Sequence, residues 1–125
     1  MFDRYVMIDW SSHNHPKIGK DSIWVCDLRT DAEPEVMKPP TRFVAEQHLR
    51  SLLAEAVSRN QRVLIGLDFP YGYPRGLASA LTLASPAWWA VWEFLASRVT
   101  DSAANQSNRF QTAAEINHLE LRASL

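Results

Sequence analysis

The chain has 125 residues, of which 46% are hydrophobic and 22% charged, and this composition excludes collagen-like, low-complexity and wholly disordered proteins. The net charge of −1 gives no global basic field for nucleic acid, and the single cysteine excludes an internal disulfide or a cysteine-based zinc site. No apolar run approaches the roughly 20 residues of a membrane span, and the N-terminus lacks the layout of a signal peptide. We therefore expect one cytoplasmic domain over residues 1–125, without a membrane partner.

The first forty residues predict a β-hairpin and a short third strand. The apolar run Tyr5–Trp10 has strand length and indicates a strand buried on both faces, and Ser11–Lys20 is a loop rich in turn-forming residues. Ser22–Leu28 mixes β-branched and aromatic residues, which favours a second strand paired with the first. The short third strand is predicted at residues 36–37. Because Cys26 lies on the second strand without a basic partner in the sequence, we interpret it as a core residue rather than a nucleophile.

The middle of the chain predicts a helix and then the clearest strand of the sequence. Thr41 is an N-cap for a helix over Phe43–Arg59, whose apolar residues recur on one face, and Asn60 ends that helix. Arg62–Phe69 is an apolar run that ends on an acid, and the prolines and glycines of Pro70–Gly76 stop it.

The last third of the chain is predicted to be mostly helical. Ser85 followed by Pro86 is a start signal for a helix over Pro86–Val99. Residues 101–107 are polar and form a loop, and Asn108–Leu121 is a moderately amphipathic helix. The order of strands and helices along the whole chain is typical of an α/β layer fold.

Two aspartates end apolar strands and are the main candidates for a functional site. Asp9 ends the first strand and Asp68 the strand after the first helix, and a carboxylate in such a place is costly to bury unless it is paired or binds a metal. If the two strands are parallel neighbours, both carboxylates emerge at the edge of the sheet where ligands bind in open α/β folds. Their oxygens then suit Mg²⁺ or Mn²⁺. In the alternative interpretation each acid caps a turn.

Three sequence blocks carry a resemblance to a known family. I-D-W-S, D-S-I-W-V and G-L-D-F-P-Y-G-Y-P resemble an uncharacterised bacterial family of predicted nucleases within the ribonuclease H-like superfamily. The resemblance covers roughly residues 5–75, and Asn108–Asn117 is a further similar block. It implies a mixed sheet with flanking helices. Some proteins that resemble this one carry labels from cobalamin or molybdopterin biosynthesis.

The resemblance also implies an activity and its residues. Asp9 matches the superfamily's first-strand metal ligand, and Asp68 matches its ligand on the strand after the first helix. Glu46 is the best match for a third acid from that helix, with Glu55 second. The implied activity is Mg²⁺- or Mn²⁺-dependent hydrolysis of a phosphodiester or another phosphoryl compound, with nucleic acid or a nucleotide as the partner.

The chain departs from the superfamily pattern after Asp68. The superfamily usually supplies a further acid from a late helix that follows at least one more strand, and no convincing strand follows Asp68 in this sequence. The late acids Asp101 and Glu115 lie in no matching motif. We therefore expect a single ribonuclease H-like domain truncated at its C-terminal end, which is either a shortened protein or the N-terminal part of a larger domain.

Four further residues are candidates for contacting the substrate. The hydroxyl of Ser11 follows the first strand directly, and Lys17 and Lys20 flank a glycine in the next loop. Arg109 lies near a helix start, where it is placed to reach an anionic ligand. The same residues are also consistent with ordinary solvated loops.

Two alternative functions remain open at this stage. One is a non-catalytic interaction module, in which Trp88, Trp89 and Trp92 form an exposed stripe that contacts another copy of the chain. The other is a nucleotide- or cofactor-handling protein of the same fold, related to cobalamin or molybdopterin metabolism.

Overall fold

A computed structural model describes residues 1–123, and it describes the side chains of residues 1–119. In chain order, the elements of this part are β1 Arg4–Asp9, β2 Trp24–Arg29, β3 Glu35–Met37, α1 Arg42–Ser58, β4 Val63–Leu67, α2 Leu77–Ala80, α3 Trp88–Ala96 and α4 Arg109–Ala123. The residues form two compact units. The first contains Met1–Phe69 and Ser102–Gln106, and the second contains Pro70–Asp101 and the described residues from Ser107 onward.

The first unit is built on a four-stranded mixed sheet with strand order β3-β2-β1-β4. β1 and β2 form an antiparallel hairpin, β2 pairs antiparallel with β3, and β1 pairs parallel with β4. The parallel pair follows from chain connectivity, because α1 provides the crossover that a parallel strand requires. The α/β class, the hairpin and the short third strand are thus confirmed, although β2 begins at Trp24 rather than Ser22.

The core of the first unit lies between one face of this sheet and α1. Val6, Ile8 and Val25 pack in one cluster with Ala45 and Leu52 of the helix. The prediction that the first strand is buried on both faces is wrong, because Met7 is 58% exposed. Side chains alternate along a strand, so those next to Val6 and Ile8 point to the face opposite α1.

Both ends of α1 follow the sequence prediction. Thr41 is extended and its hydroxyl accepts a hydrogen bond of 3.2 Å from the backbone N–H of Val44, which confirms the N-cap. The helix ends at Ser58, and Asn60 has a positive φ of 53°, a backbone conformation that asparagine tolerates better than most residues.

A buried ion pair ties α1 to the start of the sheet. Arg4 and Asp27 are 4% and 7% exposed, and the Arg4 guanidinium donates two hydrogen bonds to the Asp27 carboxylate. A third bond of 3.0 Å runs from Arg4 to Glu55 of the helix. These hydrogen bonds keep the pKa of Asp27 below its ordinary value and raise that of Arg4.

The second unit consists of helices, and α2 contacts both α3 and α4. α2 was not predicted from the sequence. α3 begins at Trp88, two residues later than Pro86, because Ala87 is still extended with a ψ of 142°. The hydroxyl of Ser85 accepts a hydrogen bond of 3.2 Å from the Ala87 N–H, so the predicted start signal orders the approach to the helix rather than its first turn.

The aromatic residues of α3 divide into two groups. Trp88 is 67% exposed and Trp89 is 47% exposed. Trp92 is partly buried: its indole N–H donates a hydrogen bond of 3.2 Å to the carbonyl of Tyr71, and its ring packs edge-on against Tyr73 at 5.6 Å. Of the three tryptophans predicted to form an exposed stripe, Trp88 and Trp89 are exposed and Trp92 is not. None of the described helices is long and apolar enough to span a membrane.

Candidate functional site

The register of β1 and β4 brings Asp9 and Asp68 together. Ile8 of β1 pairs with Leu67 of β4. Asp9 follows Ile8 and Asp68 follows Leu67, so both aspartates lie at the same carboxyl edge of the sheet. The carboxyl groups of Asp9 and Asp68 lie close enough to share a hydrogen bond when one of them is protonated, and both residues are exposed. The parallel arrangement on which the sequence hypothesis depended is therefore present.

Residues next to the two aspartates hold the carboxylates in place. The backbone N–H of Trp10 donates a hydrogen bond of 2.8 Å to Asp68 Oδ1, which links the ends of the two strands. The rings of Trp10 and Phe69 pack edge-to-face with centroids 6.4 Å apart. Each aspartate is thus followed by an aromatic residue that packs on its counterpart, which gives a physical reason for the Asp-Trp and Asp-Phe pairs in the sequence.

The two carboxylates are electrostatically unfavourable as a bare pair. The hydrogen bond to Asp68, followed by desolvation and by repulsion between the two negative charges, raises the pKa of Asp9 above its ordinary value. A cation placed between the carboxylates would remove that repulsion.

The donor set fits one small divalent cation. The pair offers hard oxygen ligands, and the Trp10 N–H occupies only one acceptor position of Asp68. Within the described residues, no group of three or more His, Cys, Asp or Glu side chains is placed to hold a metal ion. Mg²⁺ commonly binds through one or two carboxylates and completes its shell with water and substrate phosphate. Asp9 and Asp68 provide the two carboxylates that a site of that kind would use.

The candidate third acids lie elsewhere. Glu46 is exposed on α1 and forms an ion pair of 2.7 Å with Arg50, and the structure does not bring it to the aspartate pair. Glu55 binds Arg4 at the start of β1, whereas Asp9 ends the same strand, about 16 Å away at the usual rise per residue. Side chains alternate along β1, and Asp9 points to the sheet face that α1 does not cover. The acids of α1 therefore lie on the other side of the sheet from Asp9.

The loop after β1 contains the other candidates from this part of the chain. Ser11 Oγ donates a hydrogen bond of 2.7 Å to the carbonyl of Asp21 and accepts one from the N–H of His13. Lys17 lies 3.5 Å from the Asp21 carboxylate, and Lys20 is exposed. Ser11 and Lys17 therefore already have partners within the loop.

Arg42 and Asn105 hold this loop in place, and neither residue is predicted from the sequence to do so. The guanidinium of Arg42 donates to the carbonyls of Ser11 and His13 at 3.2 and 2.8 Å and to that of Asn105 at 2.7 Å. The side-chain amide of Asn105, which is 3% exposed, donates to the carbonyl of His15. The one signal in the sequence is an asparagine in a polar loop, a residue that tolerates the positive φ of 68° found here.

A cleft of about 510 Å³ opens beside the aspartate pair on the sheet face opposite α1. The residues that line it are Met7, Ile8, Asp9, Trp24, Cys26, Val36, Gly66, Leu67 and Asp68. The interpretation of Cys26 as a core residue is wrong, because it is only partly buried and its strand register places it beside Met7 on this face. Sequence reasoning missed the cleft, since it assigned the first strand two buried faces.

Arg109 belongs to the second unit. Its guanidinium lies 4.6 Å from the ring centroid of Phe110, and its backbone N–H donates to the hydroxyl of Ser107 at 3.3 Å. Its proposed contact with substrate stays a prediction. Glu115, a late acid of the same unit, accepts a hydrogen bond of 3.1 Å from Gln111.

Comparison of the chain with protein-family models, with curated proteins and with solved structures gave no match.

Proposed function

We propose that the protein is a metal-dependent hydrolase of phosphodiesters or other phosphoryl compounds, of the ribonuclease H-like type. The observation that carries this proposal is the meeting of Asp9 and Asp68 at the carboxyl ends of two adjacent parallel strands. The resemblance to predicted nucleases agrees with it, since the motifs that carry the resemblance contain these two aspartates.

In this proposal Asp9 and Asp68 hold Mg²⁺ or Mn²⁺, which when bound supplies a Lewis acid for the phosphoryl group and lowers the pKa of water. The chain keeps the two carboxylates side by side through the Trp10 N–H and the packing of Trp10 on Phe69. In the hydrolysis, the oxygen of water bonds to phosphorus, the P–O bond to the alcohol breaks, and the alcohol leaves with one proton from water.

The test is Mn²⁺ binding by calorimetry and hydrolysis of bis(p-nitrophenyl) phosphate, with the full chain. Asp9→Asn is expected to weaken Mn²⁺ binding by more than the roughly 10- to 100-fold that loss of an outer-shell partner costs, and to abolish hydrolysis. Asp31→Asn, which removes an exposed carboxylate elsewhere, serves as the matched control. Equal Mn²⁺ binding or equal hydrolysis in wild type and Asp9→Asn would refute the proposal.

A second candidate is an interaction module, and the exposure of Trp88 and Trp89 favours it. The partner would be another copy of the chain. Sedimentation of the wild type should then show concentration-dependent association that the Trp88→Ala, Trp89→Ala double variant loses. Trp92→Ala is unsuitable for this test, because Trp92 already binds the Tyr71 carbonyl.

A further inference from the structure

We infer that the cleft beside Asp9 and Asp68 receives the planar, uncharged organic group of a small phosphate ester whose phosphate lies at the aspartate pair. This inference rests on the proposed function and names its substrate class. The cleft fits a single aromatic alcohol esterified to one phosphate. Four features support this assignment: the strand register, Gly66, the position of Trp24 and the charge of the lining.

The strand register makes the floor of the cleft a continuous apolar strip. Cys26 pairs with Val36 on one side and with Met7 on the other, and Met7 pairs with Gly66 across β4. Residues paired in this way point to the same face of a sheet. The strip therefore crosses all four strands next to the aspartates, and it offers a flat apolar surface rather than a hydrogen-bonding one.

Gly66 is what keeps this strip flat. A Cβ atom at position 66 would lie 2.7 Å from Met7 Cε and 2.9 Å from Met7 Sδ, closer than any real contact of that kind. The side chain of Met7 therefore lies across the glycine, and a side chain at position 66 would displace the flexible methionine end, which lines the cleft. Methionine is adaptable enough to follow the shape of a bound ring.

Trp24 forms a wall that is fixed before a ligand arrives. Its register partner is Asp9, so it lies beside the aspartate pair. Its indole N–H donates to the Gly19 carbonyl at 3.2 Å, and the Lys38 ammonium lies 3.8 Å from its ring centroid. A wall already held in place reduces the conformational entropy lost on binding.

The charge of the lining favours a small ester over a long polynucleotide. Of the nine described residues that line the cleft, two are acidic and none is basic. The Lys38 ammonium on the Trp24 ring is a single charge beside this lining, whereas contacts to several successive backbone phosphates dominate polynucleotide affinity. One phosphate would be accommodated by the cation held at the aspartate pair. The volume of about 510 Å³ lies in the range of small-molecule sites, roughly 300–1,000 Å³.

The experiment compares phenylphosphonate with methylphosphonate, both by calorimetry in the presence of Mn²⁺ and with the full chain. Each probe has a C–P bond in place of the ester bond, so the protein cannot hydrolyse it during the measurement. Phenylphosphonate is expected to bind about tenfold more tightly, because its ring is buried in the cleft. Location is read from Cys26, the single cysteine of the chain: phenylphosphonate should slow its alkylation by iodoacetamide at least about fivefold more than methylphosphonate does.

A variant adds an independent measurement. Gly66→Ala should displace the end of Met7, which lines the cleft, reduce the preference for phenylphosphonate over methylphosphonate to about twofold or less, and leave Mn²⁺ affinity unchanged. If Mn²⁺ binds through Asp9 but the two phosphonates bind equally, the inference fails and the proposed function stands. If Mn²⁺ binding does not depend on Asp9, both the inference and the proposed function fail.

Discussion

Asn105 caps the helix α1 from a distant part of the chain. Its Oδ1 accepts a hydrogen bond of 2.7 Å from the backbone N–H of Arg42, the first residue of α1 and 63 positions earlier in the sequence. Since helix N-termini leave unsatisfied N–H groups, this bond complements the local cap supplied by Thr41. The segment Ser102–Gln106 is therefore an integral part of the first unit.

The first prediction concerns this contact. Asn105→Ala should lower the free energy of unfolding by about 1–3 kcal/mol, because it removes an N-cap bond and leaves buried polar groups unsatisfied. In Asn105→Gly the positive φ costs no backbone strain, but the side-chain hydrogen bonds of Asn105 are still lost, so this variant should also be less stable than the wild type. Urea unfolding measures both, with the exposed neighbour Gln106→Ala as control. A normal midpoint for both Asn105 variants would show that the contact is energetically neutral.

The second prediction concerns pH. Hydrogen bonds from Arg4 lower the pKa of Asp27, so this group stabilises the fold above its unfolded pKa, near 3.8, and the stabilisation is lost as the pH falls through the lowered value. The free energy of unfolding should therefore decrease below about pH 4. Unfolding curves from pH 2 to 7 measure the slope.

Asp27→Asn tests the source of that slope. At neutral pH it should cost about 3–5 kcal/mol, because Arg4 stays buried without its main countercharge. Its stability should also depend less on pH between 2 and 4 than that of the wild type. An unchanged slope would assign the acid sensitivity to other carboxylates.

The third prediction concerns the stability of the aspartate pair. Because the pKa of Asp9 is raised in the folded protein, its contribution is most favourable at acid pH and is lost as the pH rises through the raised value. Asp9→Asn should therefore have an equal or higher melting temperature at pH 7 when no metal is added. Differential scanning calorimetry with chelator measures this difference.

Adding Mn²⁺ should give the wild type a higher melting temperature than Asp9→Asn, the reverse of the order expected without metal. A ligand that binds only the folded state at about 100 times its Kd stabilises by about 2.7 kcal/mol. The wild type should gain that stability and Asp9→Asn should not. A lower melting temperature for Asp9→Asn in chelator would instead mean that Asp9 stabilises the fold without a cation.

The sequence by itself determined the local structure and the positions of the two acids. Apolar runs, β-branched and aromatic residues and the helical spacing of apolar residues placed the main strands and α1 to within a few residues, and Thr41 and Asn60 marked the ends of that helix correctly. The same patterns put Asp9 and Asp68 at strand ends. These features are local, since they depend on side chains a few positions apart along the backbone.

Only the tertiary structure decided which residues meet. The parallel register of β1 and β4 joined the two aspartates, and coverage of one sheet face by α1 left Met7 and Cys26 on the cleft side. The same fold brought Asn105 to Arg42, 63 positions earlier in the chain. The physical reason is that alternation along a strand defines two faces, but the packing of the helix decides which of them is covered.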